Sequence, residues 1–366
     1  MRALTGIAMR SIMLAHLRAI GFVVFLLLAI AFSIDLSENL TGLQDKAAET
    51  GQPLWRILFP YLGYRGVDIL TRLLPMACLA GAFAAELLRF QRLEPVILAA
   101  AGATPALALS ALLVVGVITG TVQAALEGWL RPAAVFAQVD LGVGSYARRF
   151  ERKEKDSRWF VADDRALRAT VQPGQPPTLR DVVLFEGIRR AALSSLIVAE
   201  SARPGADPQS WVLKEARRWE AGPNGNLRPE PPQSLTIRFP LTSVHLTYLD
   251  VGGFYIPQEA LRRITAVESD PRFADRQTAL VRRYAAFFLP GVFALLGASL
   301  AQTGTTARRF NPLRLVALAV TGYISVVLIK IFWSLGEFGA IAPLWASLAS
   351  LLIAGTLAAI LQIRQL

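Results

Sequence analysis

Apolar runs near 19–34, 69–88 and 96–126 are matched by three more near 284–302, 313–335 and 340–361, with a polar segment between the two sets. A hydrocarbon core of about 30 Å takes roughly 20 helical residues, and a helix satisfies its own backbone in lipid. The pattern therefore predicts an α-helical integral membrane protein with six transmembrane helices, split three and three. The insert, 127–283, has a different texture. Leu235, Ile237 and Phe239, then Val244, Leu246 and Tyr248, alternate with polar residues as half-buried strands do. Breakers divide these runs at QPGQPP (172–177), AGPNG (221–225) and PEPP (229–232). The expectation is a β-rich, jelly-roll-like domain between helices 3 and 4, apart from a charged stretch at 148–155 and a short helix at about 257–264. The domains are then 1–126, 127–283 and 284–366.

Charge gives this layout an orientation. Arg2, Arg10 and Arg18 precede the first run, and Asp35 and Glu38 follow it. Arg89 and Arg92 follow the second, and Arg308, Arg309 and Arg314 lie between the fourth and fifth. Only Glu337 marks the link between the fifth and sixth. Short basic loops stay in the cytoplasm, whereas long domains cross largely regardless of charge. Both termini are expected inside and the insert outside. No small-residue cleavage site follows the first run, so it reads as an uncleaved anchor. The net charge is +11, but the basic residues are not interleaved with aromatics as in nucleic-acid readers, so an anionic membrane surface is the expected counter-charge. The single cysteine, Cys78, falls inside an apolar run and leaves no disulfide framework within the chain.

Catalytic signatures are lacking. There is no Gly-Lys dipeptide for a P-loop, and neither G-x-S-x-G nor H-E-x-x-H occurs. Gly142, Gly144 and Ala147 match a dinucleotide pattern but follow a membrane helix rather than a strand. His16 and His245 are expected on opposite sides of the membrane, so they share no metal; His245 reads as a sheet residue. No cofactor is expected.

Two groups of residues stand out. Glu94, Pro95, Ala99 to Ala101 and Gly102 spell a short helix across the cytoplasmic face: Pro95 suits its first turn, alanines its body and Gly102 its stop. Such a helix either docks in a partner's groove or is an ordinary turn in which Glu94 pairs with Arg92 or faces water. Charged residues near span ends form the second group. Arg72, Arg282, Arg283 and Lys330 are expected near the outer face, where each either meets lipid phosphate or snorkels to headgroups. Glu86 reads as a packing or interfacial residue, and Gly81, Gly291 and Gly297 allow close helix approach.

The motifs LLPMACLAG (73–81), RLEPVILAAAG (92–102) and EGWLRP (127–132), in this order with two spans between them, resemble the LptF/LptG permease family of lipopolysaccharide export, with Glu127, Trp129 and Pro132 leaning toward its LptG branch. The likeness runs through essentially the whole chain. It implies the membrane subunit of an ABC transporter in the bacterial inner membrane, itself non-catalytic. Its implied partners are an LptB-like ATPase, a second six-helix permease, an LptC-like periplasmic protein and lipopolysaccharide; no nucleic acid is implied. It also implies that the segment 92–103, carrying Arg92, Glu94, Pro95 and Gly102, is the helix that couples to the ATPase. Two other classes stay open on the residues alone: a membrane enzyme acting on lipids with Glu127 or Asp68 as acid or base, and an ion-coupled lipid exporter.

Overall fold

In the computed structural model, residues 2–150, 155–189, 193–221, 227–267, 272–306, 309–310 and 312–363 are described. They divide into two compact units, one of 1–149 with 277–366 and the other Phe150–Arg276. The expected boundaries were 126/127 and 283/284. The first division falls later because the third span does not stop at its apolar edge. α4 (Pro105–Ala125) runs through a π turn (Leu126–Leu130) into α5 (Arg131–Leu141), followed by α6 (Gly144–Arg149). Pro132 lies in the first turn of α5 and cannot donate to the turn before it, so the helix widens there rather than ending.

The other helices also outrun their apolar cores. α1 is Arg2–Thr50 and α2 is Leu54–Gln91, so Asp35 and Arg72 lie within helices rather than at their ends. After the short α3 (Glu94–Ala100) and α4, the helical unit resumes in α9 (Phe273–Ala285) and α10 (Leu289–Gly304), bent by 60° at their junction. α11 (Pro312–Glu337) and α12 (Pro343–Ile363) complete it, with a two-residue pairing of β8 (Thr305–Thr306) and β9 (Arg309–Phe310) before α11. Among the described residues, five helices are long and apolar enough to cross a membrane, or six if the bent pair is one span. This is the three-plus-three arrangement that the hydrophobic pattern predicts. Of the basic loop expected between the fourth and fifth spans, Arg308 lies outside the described residues.

α10 occupies the centre of this unit. Phe293, Leu296 and Leu300 pack with Leu79, Ile329 and Leu351, while Ala294 and Ala298 meet Leu74, Cys78 and Val115 on the other side. Glycines set how near the backbones come. A Cβ on Gly116 would stand 2.9 Å from the Cα of Gly291, and one on Gly297 would collide with the carbonyl oxygen of Leu79. Lipid tails are as apolar as leucine, so close van der Waals packing is what holds such helices together.

Among its described residues the second unit forms a seven-stranded antiparallel sheet: β1 (Lys155–Ala162), β2 (Arg165–Gln172), β3 (Thr178–Glu186), β4 (Ser195–Pro204) and β5 (Ser210–Ala221) pair in sequence. β6 (Leu227–Pro229) and β7 (Gln233–Arg238) then share the remaining edge of β5. The breakers QPGQPP and PEPP fall between strands as expected; most of AGPNG, and 151–154 of the charged stretch, lie outside the described residues. One face buries Leu167, Leu179, Leu184, Ile197, Trp211 and Leu213, closed over by Phe239, Leu241 and Leu246. The Trp211 indole donates to the Leu241 carbonyl at 2.8 Å, so its one polar atom is satisfied in the core.

The alternation at 244–248 does not make a strand. Residues Ser243–Thr247 form a helical turn, α7, because Thr242 and His245 cap each other. The Thr242 hydroxyl accepts from the His245 amide, while the imidazole Nδ1 accepts from the Thr242 amide at 3.2 Å. His245 is thus a capping residue, not a sheet residue. The helix expected at 257–264 is present as α8 (Gln258–Thr265).

The glycine contacts lead to a comparison. Gly297→Ala should destabilise by about 1–3 kcal/mol through overpacking. Gly21→Ala, with no heavy atom within 4 Å of the new Cβ, should be neutral or stabilising. Apparent Tm of the purified protein in detergent checks this; equal Tm values for the two variants would contradict the packing described.

Candidate functional site

The short helix singled out by sequence lies at the turn after α2. Leu93 takes a left-handed conformation (φ 57°), reversing the chain, and Glu94 and Pro95 open α3. Its end follows the pattern that a glycine stop predicts. Gly102, at φ 81°, donates to Ala99, and Ala103 donates to Leu98, both at 2.9 Å, closing a Schellman motif. None of its residues is buried, and Leu93, Val96 and Ile97 are 56%, 55% and 63% exposed. An apolar helix that packs on little of its own chain offers a contact face.

Glu94 pairs neither with Arg92 nor with water alone. Its Oε2 accepts from Arg89 Nε at 3.3 Å, and Arg89 Nη1 donates to Glu86 Oε1 at 2.6 Å. Arg89 and Glu86 are both buried, so α3 is tied to a charge pair inside the bundle. Arg92 is exposed at the turn.

A second charge cluster surrounds Asp68, 18 residues earlier on α2, or ~27 Å at 1.5 Å per residue. That is about one hydrocarbon thickness. Between them, Leu73 to Ala85 carry no charge. Asp68 receives Arg131 Nε at 2.6 Å, Arg65 Nη1 at 3.0 Å and the Tyr146 hydroxyl at 2.8 Å, with Arg72 Nη2 at 3.3 Å. Arg65 also donates to Asp35 on α1 at 2.6 Å, as does the Tyr61 hydroxyl. Glu127, in the π turn, faces Arg282 Nη2 and Gln123 Nε2, both at 3.3 Å. The Arg282 guanidinium in turn lies 3.5 Å from the Trp333 ring centroid and 4.0 Å from Glu337.

The four basic residues expected to meet lipid therefore have different surroundings. Arg72 is half-exposed and donates to Tyr146 at 2.6 Å, Lys330 is exposed on α11, and Arg282 and Arg283 are largely buried. In this cluster the guanidiniums of Arg65, Arg72, Arg131, Arg282 and Arg283 lie among the carboxylates of Asp35, Asp68, Glu127 and Glu337, with Glu38 close to Tyr61, so many charges of both signs share one level of the bundle. Asp68 and Glu127, weighed above as acid or base, are occupied by guanidiniums. Sequence reasoning missed Arg131, Tyr146, Arg89 and Asp35. The i, i+3 spacing of Glu86 with Arg89 and of Arg65 with Asp68 in apolar helices was a usable signal; partners 63 and 78 residues from Asp68 carried none.

Arg131 is fully buried against Asp68, so Arg131→Met should destabilise by about 3–5 kcal/mol. The half-exposed Arg72→Gln should cost about 0–1 kcal/mol. Thermal unfolding and limited proteolysis of the two variants in detergent give the ranking; the reverse order would place the weight of the cluster elsewhere.

No curated protein matches the chain. A family model, lipopolysaccharide export system permease LptF/LptG, matches residues 16–364. With its apolar spans, the strand domain inserted between them and that match over nearly its whole length, the chain belongs to the LptF/LptG family of lipopolysaccharide export permeases, multi-pass proteins of the inner membrane.

Proposed function

We propose that this chain is the non-catalytic membrane subunit of an ABC transporter that takes lipopolysaccharide from the inner membrane and hands it to its strand domain, and so to a periplasmic bridge. The energy enters at α3. An LptB-like ATPase docks there on the cytoplasmic side, a second six-helix permease closes the lipid path, and an LptC-like protein continues the periplasmic one. Both termini are then cytoplasmic and the sheet unit is periplasmic. The observation that carries this reading is α3 itself: an apolar helix with no buried residue, whose N-terminal carboxylate is anchored to the bundle through Arg89. Glu127, Trp129 and Pro132 support the LptG branch.

Charge spacing supports the lipid half. The Asp68 cluster would stand at the periplasmic headgroup level and the Glu86 pair at the cytoplasmic one. Lys330 and Arg72, the more exposed of the four basic residues, would contact phosphates of the lipid directly; Arg282 and Arg283 would stand behind them. The enzyme reading has little support, since its candidate carboxylates are spent on structural pairs.

Ile97→Asp places a charge on the exposed face of α3 without touching the core. It should weaken co-purification of the ATPase by tenfold or more, about 1.4 kcal/mol or above. Glu259→Lys, on the exposed surface of α8, should leave it unchanged. Retained ATPase with Ile97→Asp would remove the coupling role. For the lipid, a photo-crosslinking residue at 330 should capture lipopolysaccharide in cells, whereas capture of phospholipid alone would count against that path.

A further inference from the structure

Glu86 has a second partner besides Arg89. His16 of α1 is completely buried, and its Nε2 lies 3.1 Å from Glu86 Oε1. The other ring nitrogen, Nδ1, lies 2.9 Å from the carbonyl oxygen of Ile12. A carbonyl only accepts, so Nδ1 carries a hydrogen. Nε2 then faces a carboxylate oxygen, and two acceptors that close in a dry interior repel unless a proton lies between them. The 3.1 Å approach, within ion-pair distance though without hydrogen-bond alignment, favours one dissociable proton on the His16 and Glu86 pair. With it, His16 and Arg89 balance Glu86 and Glu94. Without it, the cluster carries an uncompensated buried negative charge.

We propose that His16 and Glu86 are positioning residues for α3, forming with Arg89 a proton-holding relay that sets the pose of the helix presented to the ATPase. This rests on α3 being the coupling helix. Removing the proton leaves Arg89 as the cation that faces Glu86 among the described residues, and with Nη1 already at 2.6 Å the guanidinium gains by turning its Nε from Glu94 toward the second Glu86 oxygen. The contact that yields is the one from Arg89 to Glu94, at 3.3 Å the longer of the two that Arg89 makes, ending on a carboxylate that is 35% exposed. α3 is then released at its N-terminus. It has somewhere to go: a cavity of about 350 Å³ separates it from the bundle, lined by Leu98 and Ala99 on its side and by Ile12, Glu86, Arg89 and Gln302 opposite. The cavity also gives the proton a route to the pair. Among the described residues, the charged or titratable groups facing the pair are Arg89 of α2 and, through it, Glu94 of α3. α10 contributes the neutral Gln302, which faces Glu86, and α12 the neutral Gln362, whose Nε2 donates to Gln302 Oε1 at 2.9 Å.

Two readouts test this on the full chain. Spin labels on Ile97→Cys and Ile363→Cys, both exposed positions, report the distance from α3 to the end of α12; Cys78, fully buried, stays unlabelled. In lipid nanodiscs the distance distribution should broaden from about pH 6 to about pH 8, and His16→Gln should abolish that change. Glu94→Gln, at the exposed end, should abolish it too, which keeps the test valid if His16→Gln fails to fold. In the assembled complex, ATP turnover should differ about fivefold across the same interval and flatten in both variants. A distance change that is lost in the variants while turnover keeps its profile would uphold the relay and remove the coupling reading. Wild-type distances that do not respond to pH, or a response that survives both substitutions, would overturn the relay, with the coupling reading left to the Ile97→Asp result.

Discussion

An ionised carboxylate inside an apolar bundle must be met by a cation, because hydrocarbon offers it no water. The helical unit is arranged around that requirement at two levels. On α2, Asp68 and Glu86 sit about one hydrocarbon thickness apart, and α1 answers each of them: Asp35 shares Arg65 with Asp68, and His16 meets Glu86. Antiparallel α1 and α2 are thereby fixed in register at both ends. The apolar stretch between depends on shape instead, with Gly81, Gly116 and Gly297 admitting neighbouring backbones. Electrostatics sets the ends and close packing fills the middle.

That division explains what could be read from residues alone. The six spans were legible because lipid enforces a length and a composition. β7 was legible because Gln233–Arg238 alternates and ends at turn signals. The turn at 243–247 was not, since five residues with two apolar positions fit both periods and the decision lay with the Thr242 and His245 caps. The helix ends were missed for a related reason: α1 continues to Thr50 and α2 begins at Leu54 through mixed sequence that needs no lipid to be helical. In the candidate site, Glu94, Pro95 and Gly102 define α3 by local rules, so its bounds were accessible. The Asp68 cluster was not, because Arg131 and Tyr146 come to it from distant helices.

In the coupling role proposed for α3, the two levels would also carry work through the bundle. α3 is joined to α2 by a tight turn and by Arg89, and α2 runs as one helix, with Pro75 inside it, from there to Asp68, where α1, α5 and α6 converge. A displacement of α3 therefore acts on a helix whose far end is clamped by ion pairs near Arg282 and Trp333. Rigid elements with a few strong contacts at each end carry such motion better than a uniformly soft bundle.

A chain that works as one subunit of a lipid-bound, ATP-driven assembly, as proposed, leaves the membrane together with its partners. Native mass spectrometry of the complex extracted gently from the inner membrane tests it most directly. The expected particle contains this chain, a second six-span permease, an ATPase and bound lipopolysaccharide. A chain that leaves the membrane alone, or only with copies of itself, and carries no lipopolysaccharide would contradict it.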